Sequence, residues 1–581
     1  MLTRLRGGTV YDPATGVDGV VRDVWWRDGR IVPAPAAATQ ADVEFDASGR
    51  IVMAGAIDLH SHIGGGKLNL ARALLPEDHR NHAYARSASP RAACGHAAPS
   101  TYATGYRYAE MGYTACFEPA IVPANARQAH MEMGDIPIID KGGYAMLGSD
   151  DFLLRLLARD AAQSAINDYV AWTLDATQCI GIKVVNPGGI SAFKFNARKL
   201  DLDERAPHYG VTPRRILTAL ARALHDLGVP HPLHVHGCNL GVPGNVDTTL
   251  STIAGAEGLP LHLTHIQFHS YDTEGERRFS SGAARIAEAI NGQRNISVDV
   301  GQVMFGQTVT ASGDTMAQYR NRRFARPRKW VSMDIECDAG CGVVPFRYRD
   351  TDFVNALQWA IGLEIFLLVE DPWRVFLTTD HPNGAPFTSY PHLVRLLMDK
   401  TFRNEQLGRV HEGARAASLL AAVGREYSLY EIAIMTRAGP ARILGLADRG
   451  RLDPGACADV TVYDDLGDRE AMFARPALVF KDGVLVVRDG RVVHVSRGTT
   501  HAVKPGYDAA IESSLAPYFE RYRGERLANV PIDEDELREC GSRALVVHPC
   551  RGRDDPPRAL AASHAGADPA HGDERWPGQA T

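Results

Sequence analysis

The chain has 581 residues, 45% apolar and 23% charged, with a formal net charge of -6 and an isoelectric point near 6.4. This length exceeds one ordinary core, so a large domain with smaller ones is expected. The charge balance excludes the basic footprint of a nucleic-acid-binding protein. The sequence contains no run of about eighteen apolar residues, so no membrane span is predicted. The N-terminal residues lack the apolar region of a signal peptide. We therefore expect a cytoplasmic protein without membrane or nucleic-acid partners.

The first 52 residues form short strand-like runs separated by turns, such as the Asp-Gly turn in Arg27-Asp-Gly-Arg30. Strands at this spacing indicate half of a small β-sandwich. A matching set follows from 441 to 500, with Asp-Gly turns after Lys481 and Arg488. The sequence therefore predicts that both chain ends build one β-sandwich and that a larger domain is inserted between its halves.

Between these halves, residues 53–440 alternate apolar strand-like runs with helical segments. This alternation predicts an α/β fold, a parallel (β/α)8 TIM-like barrel, with an insertion at 301–372. The insertion carries a basic run at 320–329. This run is interpreted as a solvated loop, or alternatively as a lid or a contact for an anionic substrate tail or a partner subunit. Residues 501–550 are expected to form a C-terminal extension. The polar, Pro/Ala-rich residues 551–581 predict a disordered tail.

Nine cysteines are scattered along the chain, and only Cys337 and Cys341 are closely spaced. An iron–sulfur cluster needs about four thiolates in a recognisable run, and no such run is present. Two free thiols in a loop are the preferred interpretation of Cys337 and Cys341, with a zinc knuckle as the alternative. The sequence therefore offers no framework for a redox centre of its own.

Metal-binding side chains end several of the strand-like runs in a fixed order. Two imidazoles two residues apart on a strand face the same side, so His60 and His62 can bind one metal ion together. His236, His265 and Asp380 each close a later apolar run. Because barrel active sites form where strands end, these side chains predict one two-metal hydrolytic centre. Structural roles are expected for the neighbouring histidines, which are His231, His234, His262 and His269.

Lys183 ends the apolar run Cys179-Ile-Gly-Ile-Lys183, an unusual place for an ammonium group. A buried lysine must be neutral, ion-paired or chemically altered. Reaction with carbon dioxide would convert the amine into a carboxylate able to bridge two cations. Carboxylation and a plain salt bridge are both open interpretations.

The Asp58-Leu-His-Ser-His62 segment, Lys183 and the later His, His and Asp residues resemble the amidohydrolase superfamily. One departure is Ala54, where the superfamily usually has a proline before Gly55. A narrower resemblance rests on five segments and covers roughly residues 1 to 550. They are Asp58 to Asn69, Gly181 to Gly189, His236 to Asn245, Thr264 to Tyr271 and Thr378 to Gly384. These look like the A subunits of formylmethanofuran dehydrogenase and of the related formyltransferase/hydrolase complex.

This resemblance implies two zinc ions, N6-carboxylated Lys183 as the bridging ligand and Asp380 as both ligand and general base. The remaining implied ligands are His60, His62, His236 and His265. It further implies cleavage of an N-formyl group from a furfurylamine-type C1 carrier to formate and free amine, or the reverse condensation, within a multi-subunit complex of one-carbon metabolism. Two alternatives stand beside it. One is a dihydropyrimidinase or N-acyl amino acid amidohydrolase, and the other is a non-catalytic scaffold within such a complex.

Overall fold

Parallel strands around a central axis form the largest body of the protein. The computed structural model describes residues 1–36, 39–84, 91–189, 200–312, 315–332 and 342–550. Within them the strands are β1 Leu2–Asp12, β2 Val17–Arg27, β3 Arg30–Val32, β4 Val43–Asp46, β5 Arg50–Ala54, β6 Ala56–Asp58, β7 Tyr113–Ile121, β8 Asp140–Met146, β9 Gly181–Val185, β10 Leu233–His236, β11 Leu261–Leu263, β12 Tyr271–Asp272, β13 Ser280–Ser281, β14 Ile296–Asp299, β15 Gly306–Ser312, β16 Val331–Ser332, β17 Gly342–Tyr348, β18 Val375–Phe376, β19 Val460–Asp464, β20 Leu478–Lys481, β21 Val484–Arg488, β22 Arg491–Val492, β23 Thr500–Val503 and β24 Leu545–His548.

The α-helices of the described residues flank these strands. They are Gly66–Leu74, Pro76–Asn81, Thr101–Glu110, Ala126–Gly134, Asp151–Ala158, Gln163–Thr177, Pro213–Asp226, Val246–Ala254, Ala283–Gly292, Thr315–Asn321, Phe353–Leu368, Tyr390–Met398, Lys400–Arg409, Glu412–Ala416, Leu429–Ala433, Gly439–Leu444, Arg469–Ala474, Glu512–Tyr518 and Glu534–Glu539. None of the described helices is long and apolar enough to cross a membrane.

The barrel consists of β6, β7, β8, β9, β10, β11, β14 and β18, each parallel to the next. Its strands are buried on both faces, as in β9, because helices cover the outside. A parallel bridge between Ser61 and His381 closes the ring just beyond β6 and β18, where the His62 N–H donates to the His381 carbonyl over 2.8 Å. This seam brings the first and last strands of the barrel side by side.

Both ends of the chain build a second sheet, which runs β22-β21-β20-β19-β5-β1-β2-β3 with β4 beside β1. The two halves join where β19 pairs antiparallel with β5, from Val460 opposite Ala54 to Asp464 opposite Arg50. Its core includes Trp26 against Phe480, with ring centroids 4.9 Å apart. The predicted fold class, a barrel inserted into a smaller β-domain made by the chain ends, is confirmed.

The predicted insertion at 301–372 contains two different structures. The strands β15, β17 and β16 form a small antiparallel sheet, here called the insertion sheet. Val309 and Val343 of this sheet pack on Leu68 and Ala71 of the helix Gly66–Leu74. The helix Phe353–Leu368, in contrast, lies between β14 and β18 as an ordinary barrel helix. The domain limits themselves stay predictions.

The basic run at 320–329 lies beside the insertion sheet, where the Arg326 N–H donates to the Pro345 carbonyl. In the described part of this run, the ammonium of Lys329 contacts the carboxylate of Glu77 at 3.3 Å. The interpretations of the run as a solvated loop, a lid or a contact for an anionic group or a partner subunit all stay predictions.

The C-terminal extension adds β23 and β24 to the barrel sheet, with Thr500 paired to Lys141 of β8. A buried ionic cluster lies where barrel, chain-end sheet and extension meet. There the carboxylate of Asp140 accepts from Arg449 at 2.9 Å and contacts the Lys481 ammonium at 3.1 Å. Cys337, Cys341 and the tail 551–581 lie outside the described residues.

Candidate metal centre

Five of the six predicted site residues lie at the carboxyl ends of the barrel strands. Lys183, which was expected to end its strand, lies instead in the middle of β9, which continues to Val185. His60 and His62 follow β6, Lys183 lies in β9, His236 ends β10, His265 follows β11 and Asp380 follows β18. Because parallel strands end at the same rim, this rim gathers side chains from distant parts of the chain. The structure brings the predicted histidines and Asp380 together as two adjoining groups, with the rings of His60 and His265 5.6 Å apart.

The first group consists of His60, His62 and Asp380. Oδ1 of Asp380 lies 2.9 Å from Nε2 of His60 and 3.5 Å from Nε2 of His62. All three residues are buried. Asp380 adopts a left-handed backbone conformation with φ of 50°, which is costly for a residue other than glycine. The backbone turn therefore directs this carboxylate toward both imidazoles.

The opposite ring nitrogens of these two histidines are held from behind. Nδ1 of His62 lies 2.8 Å from Oε1 of Glu118, whose other oxygen accepts the N–H groups of Ile63 and Gly64. Nδ1 of His60 lies 2.8 Å from Nε2 of His234. Such contacts fix the ring orientation and leave Nε2 free for a ligand. Glu118 was not among the predicted site residues, although a carboxylate within the apolar strand β7 was a local signal of a polar role.

The second group consists of His236, His265 and His269. The ring centroids of His236 and His265 are 4.5 Å apart, and His269 lies 5.3 Å from each. Burial lowers the pKa of His236 and His265 well below the ordinary value, so both rings are neutral at pH 7. The sequence pattern gave His269 only a structural role, but the structure brings it into this group.

Lys183 is 2% exposed, and its charge acts on histidines of both groups. Burial lowers the pKa of its amine to about 8, although Asp380 and Asp299 act in the opposite direction. Lys183 forms no ion pair with a carboxylate among the described residues, so the plain salt bridge considered as an alternative is absent there. A largely buried, unpaired amine near two groups of imidazoles has the properties needed for reaction with carbon dioxide.

A layer of polar side chains lies beneath the rim inside the barrel. Nε2 of His234 contacts His60, and its Nδ1 lies 3.0 Å from Nε2 of His231. His262 lies 3.1 Å from the carboxylate of Asp299. These three histidines contact other protein groups. His234 also forms, with His60 and Asp299, a third group whose ligand atoms could hold an ion, so the structural roles expected for these histidines stay predictions.

Asp58 belongs to the same sequence motif as His60 and His62 but points elsewhere. Its carboxylate accepts the hydroxyl of Tyr108 at 2.7 Å and the backbone N–H of His60 at 3.0 Å. Both contacts lie away from the imidazole rings. Asp58 therefore fixes the backbone of the motif and is no candidate ligand.

The donor set fits divalent metal ions of the zinc type. Ligand atoms of His60, His62 and Asp380, and separately of His236, His265 and His269, lie within 4.8 Å of one another. Neutral imidazoles and carboxylates are the ligands such ions prefer. Nδ1 of His265 is buried without a hydrogen-bond partner in the described structure, which leaves a donor for an ion.

Comparison with known proteins gives consistent relationships. A model of the amidohydrolase family matches residues 43–494. The A subunit of the formyltransferase/hydrolase complex Fhc from Methylorubrum extorquens is 46% identical over 540 residues, covering 92% of this chain and 97% of that protein. Protein FwdA from Methanocaldococcus jannaschii is 40% identical over 554 residues, covering 91% and 96%.

The fold matches a solved structure over nearly its whole length. The crystal structure of the Methylorubrum extorquens complex FhcABCD with methylofuran aligns with a TM-score of 0.89 at 44% identity. The alignment covers 95% of this chain and all of that one. The resemblance predicted from the sequence motifs is thereby confirmed.

Proposed function

The chain belongs to the amidohydrolase family, and we propose that it hydrolyses an N-formyl carrier of the formylmethanofuran or formyl-methylofuran type. The products are formate and the free carrier amine, and the same site catalyses the reverse condensation. The chain acts within a multi-subunit complex of one-carbon metabolism. Similarity to the A subunit of Fhc over 97% of that protein supports both the reaction and the assembly.

The observation that carries this proposal is the environment of Lys183. Its amine is buried, its pKa is lowered to about 8 by that burial, and its charge acts on His60, His62, His236 and His265 alike. An amine with a lowered pKa is more often neutral, and the neutral amine is the form that reacts with carbon dioxide. The resulting carboxylate would lie between the two groups of ligands.

We assign two zinc ions to this centre. His60, His62 and Asp380 would hold one and His236 and His265 the other, with carboxylated Lys183 shared by both. Bound zinc lowers the pKa of water and polarises a carbonyl oxygen, which are the two activations that a formamide needs.

Asp380 performs the proton transfers. Its Oδ1 faces the two imidazoles, where it can accept a proton from the attacking water. The same proton then passes to the carrier nitrogen as the C–N bond breaks, so that the amine leaves neutral. Glu118 and His234 keep the two rings oriented throughout. No net oxidation occurs, in keeping with a chain whose sequence offers no redox framework.

The decisive experiment is an assay of the purified complex with a formylated furfurylamine-type carrier. We expect stoichiometric formate release without any electron donor or acceptor, and loss of release in the Asp380→Asn variant. N-acyl-D-glutamate and a dihydropyrimidine serve as substrates for the alternative activities. Formate release only in the presence of a redox partner, or faster cleavage of either alternative substrate, would contradict the proposal. Well under two zinc ions per chain would instead favour the scaffold role.

A further inference from the structure

We propose that His269 is a third imidazole ligand of the metal position formed by His236 and His265. This inference rests on the proposed two-metal function, but its test measures metal coordination instead of formate release. The ligand is a divalent ion that accepts nitrogen donors, such as zinc or cobalt(II).

The backbone after β11 accounts for the position of this ring. His265 has a φ of 37°, in the left-handed region, and opens the single turn Ile266–His269. That turn places the His269 ring four residues later over the ring of His265, with an interplanar angle of 21°. His236 meets the same pair from the neighbouring strand β10. One nitrogen from each of the three rings falls within a common sphere of ligand distances.

Burial makes an imidazole without hydrogen-bond or metal partners energetically unfavourable at this position. His269 is 2% exposed. Neither of its ring nitrogens makes a hydrogen bond of standard geometry with the described residues, although the main chain of Cys238 lies near the ring. Burying a polar group without a hydrogen-bond partner is unfavourable, because the group loses its contacts with water. A bound ion would satisfy one of these nitrogens, since a metal–ligand bond replaces the missing hydrogen bond.

Other buried histidines show what a purely structural role looks like in this protein. His262 has Ser297 at 3.0 Å and Asp299 at 3.1 Å on its two ring nitrogens. His130 has the carbonyl of Thr177 at 2.9 Å. In the described structure neither ring nitrogen of His269 makes a hydrogen bond of standard geometry, although the main chain of Cys238 lies near, and the ring faces two other imidazoles. Packing alone therefore explains His262 and His130 but not His269.

The test uses the intact complex loaded with cobalt(II). A His269→Cys variant is expected to gain a thiolate-to-cobalt charge-transfer band, because the new sulfur would bind the ion directly. The matched control is His130→Cys, in which a buried imidazole outside both groups is replaced and no band is expected. Absence of the band in a cobalt-loaded His269→Cys protein would overturn the proposal.

Zinc binding gives a second measurement. His269→Phe keeps the ring volume but removes the donor, and we expect one of the two ions to bind at least about tenfold more weakly. Two tightly bound ions in His269→Phe would contradict the inference while leaving the hydrolytic function intact. If that variant does not fold, X-ray absorption of the wild-type zinc complex decides. Five imidazoles shared by two ions support His269 as a ligand, and four exclude it.

Discussion

Nδ2 of Asn383 donates to Oδ2 of Asp380 over 3.0 Å, which leaves Oδ1 of that carboxylate facing the imidazoles. Oδ1 of Asn383 in turn accepts the backbone N–H of Ala311 in the insertion sheet at 2.6 Å. Tyr348, on the neighbouring strand β17, donates its hydroxyl to the Asn383 carbonyl over 3.1 Å. The side-chain amide of Asn383 therefore connects the insertion sheet to the proposed general base.

Replacing Asn383 by alanine should lower kcat about tenfold while the zinc content stays at the wild-type level. Loss of the amide frees Oδ2 of Asp380 to rotate, and misplacement of a catalytic group slows proton transfer. Steady-state kinetics and metal analysis measure the two effects. The control Asn295→Ala removes a comparable amide, which donates to the Leu259 carbonyl. Unchanged kcat in Asn383→Ala would refute the positioning role.

The variant Asp380→Asn should lose about 10²- to 10⁴-fold in kcat, the usual contribution of a positioned general base. The change keeps the shape of the side chain but alters both a proposed zinc ligand and the proposed base, so the comparison uses variant protein that holds two zinc ions per chain. Formate release by the purified complex measures it. Asp371→Asn, a partly exposed carboxylate that precedes β18, should retain wild-type activity. Equal activity of Asp380→Asn and wild type would assign the proton transfer to another group.

The variant Lys183→Ala should lose most of its bound zinc and its activity, because the proposed shared carboxylate can no longer form. Short carboxylates such as acetate or propionate should restore part of both, since they can occupy the space of the missing side chain. Metal analysis with and without added acid measures the rescue. Lys504→Ala, an exposed lysine of the C-terminal extension, is the control. Full zinc content in Lys183→Ala without added acid would exclude the bridging role.

His130 should make the protein less stable below neutral pH. Burial lowers the pKa of this imidazole from 6.5 to about 4, so between these values the unfolded chain binds the proton more readily. Its contribution to the free energy of unfolding is therefore present above pH 6.5 and is lost as the pH falls toward 4, by about 2 kcal/mol between pH 7 and 5.

Denaturant unfolding of wild type and His130→Gln at several pH values tests this expectation. Glutamine can still donate to the Thr177 carbonyl but does not titrate in this range. The difference between the two unfolding free energies should therefore narrow or reverse from pH 7 to pH 5. A difference that is independent of pH would show that the imidazole stays accessible to protons in the folded protein.

Strand-end positions were predictable from the sequence because a polar residue that closes an apolar run stands out locally. His60, His236 and Asp380 were found in this way, and the alternation of strands with helices supplied the barrel. The contact of Glu118 with His62 and the closeness of His269 to His236 depend on how separate strands and turns pack. No local pattern records such contacts. The division of residues 301–372 into the insertion sheet and a barrel helix was not predicted for the same reason.

The seam between Ser61 and His381 makes the metal centre a product of completed folding. One of its walls is built by the first barrel strand and the other by the last, so a chain still in synthesis carries His60 and His62 long before Asp380 exists. Ion capture at full strength must then wait for the ring to shut. The junction that closes the barrel therefore also completes the proposed metal centre, which an incomplete chain lacks.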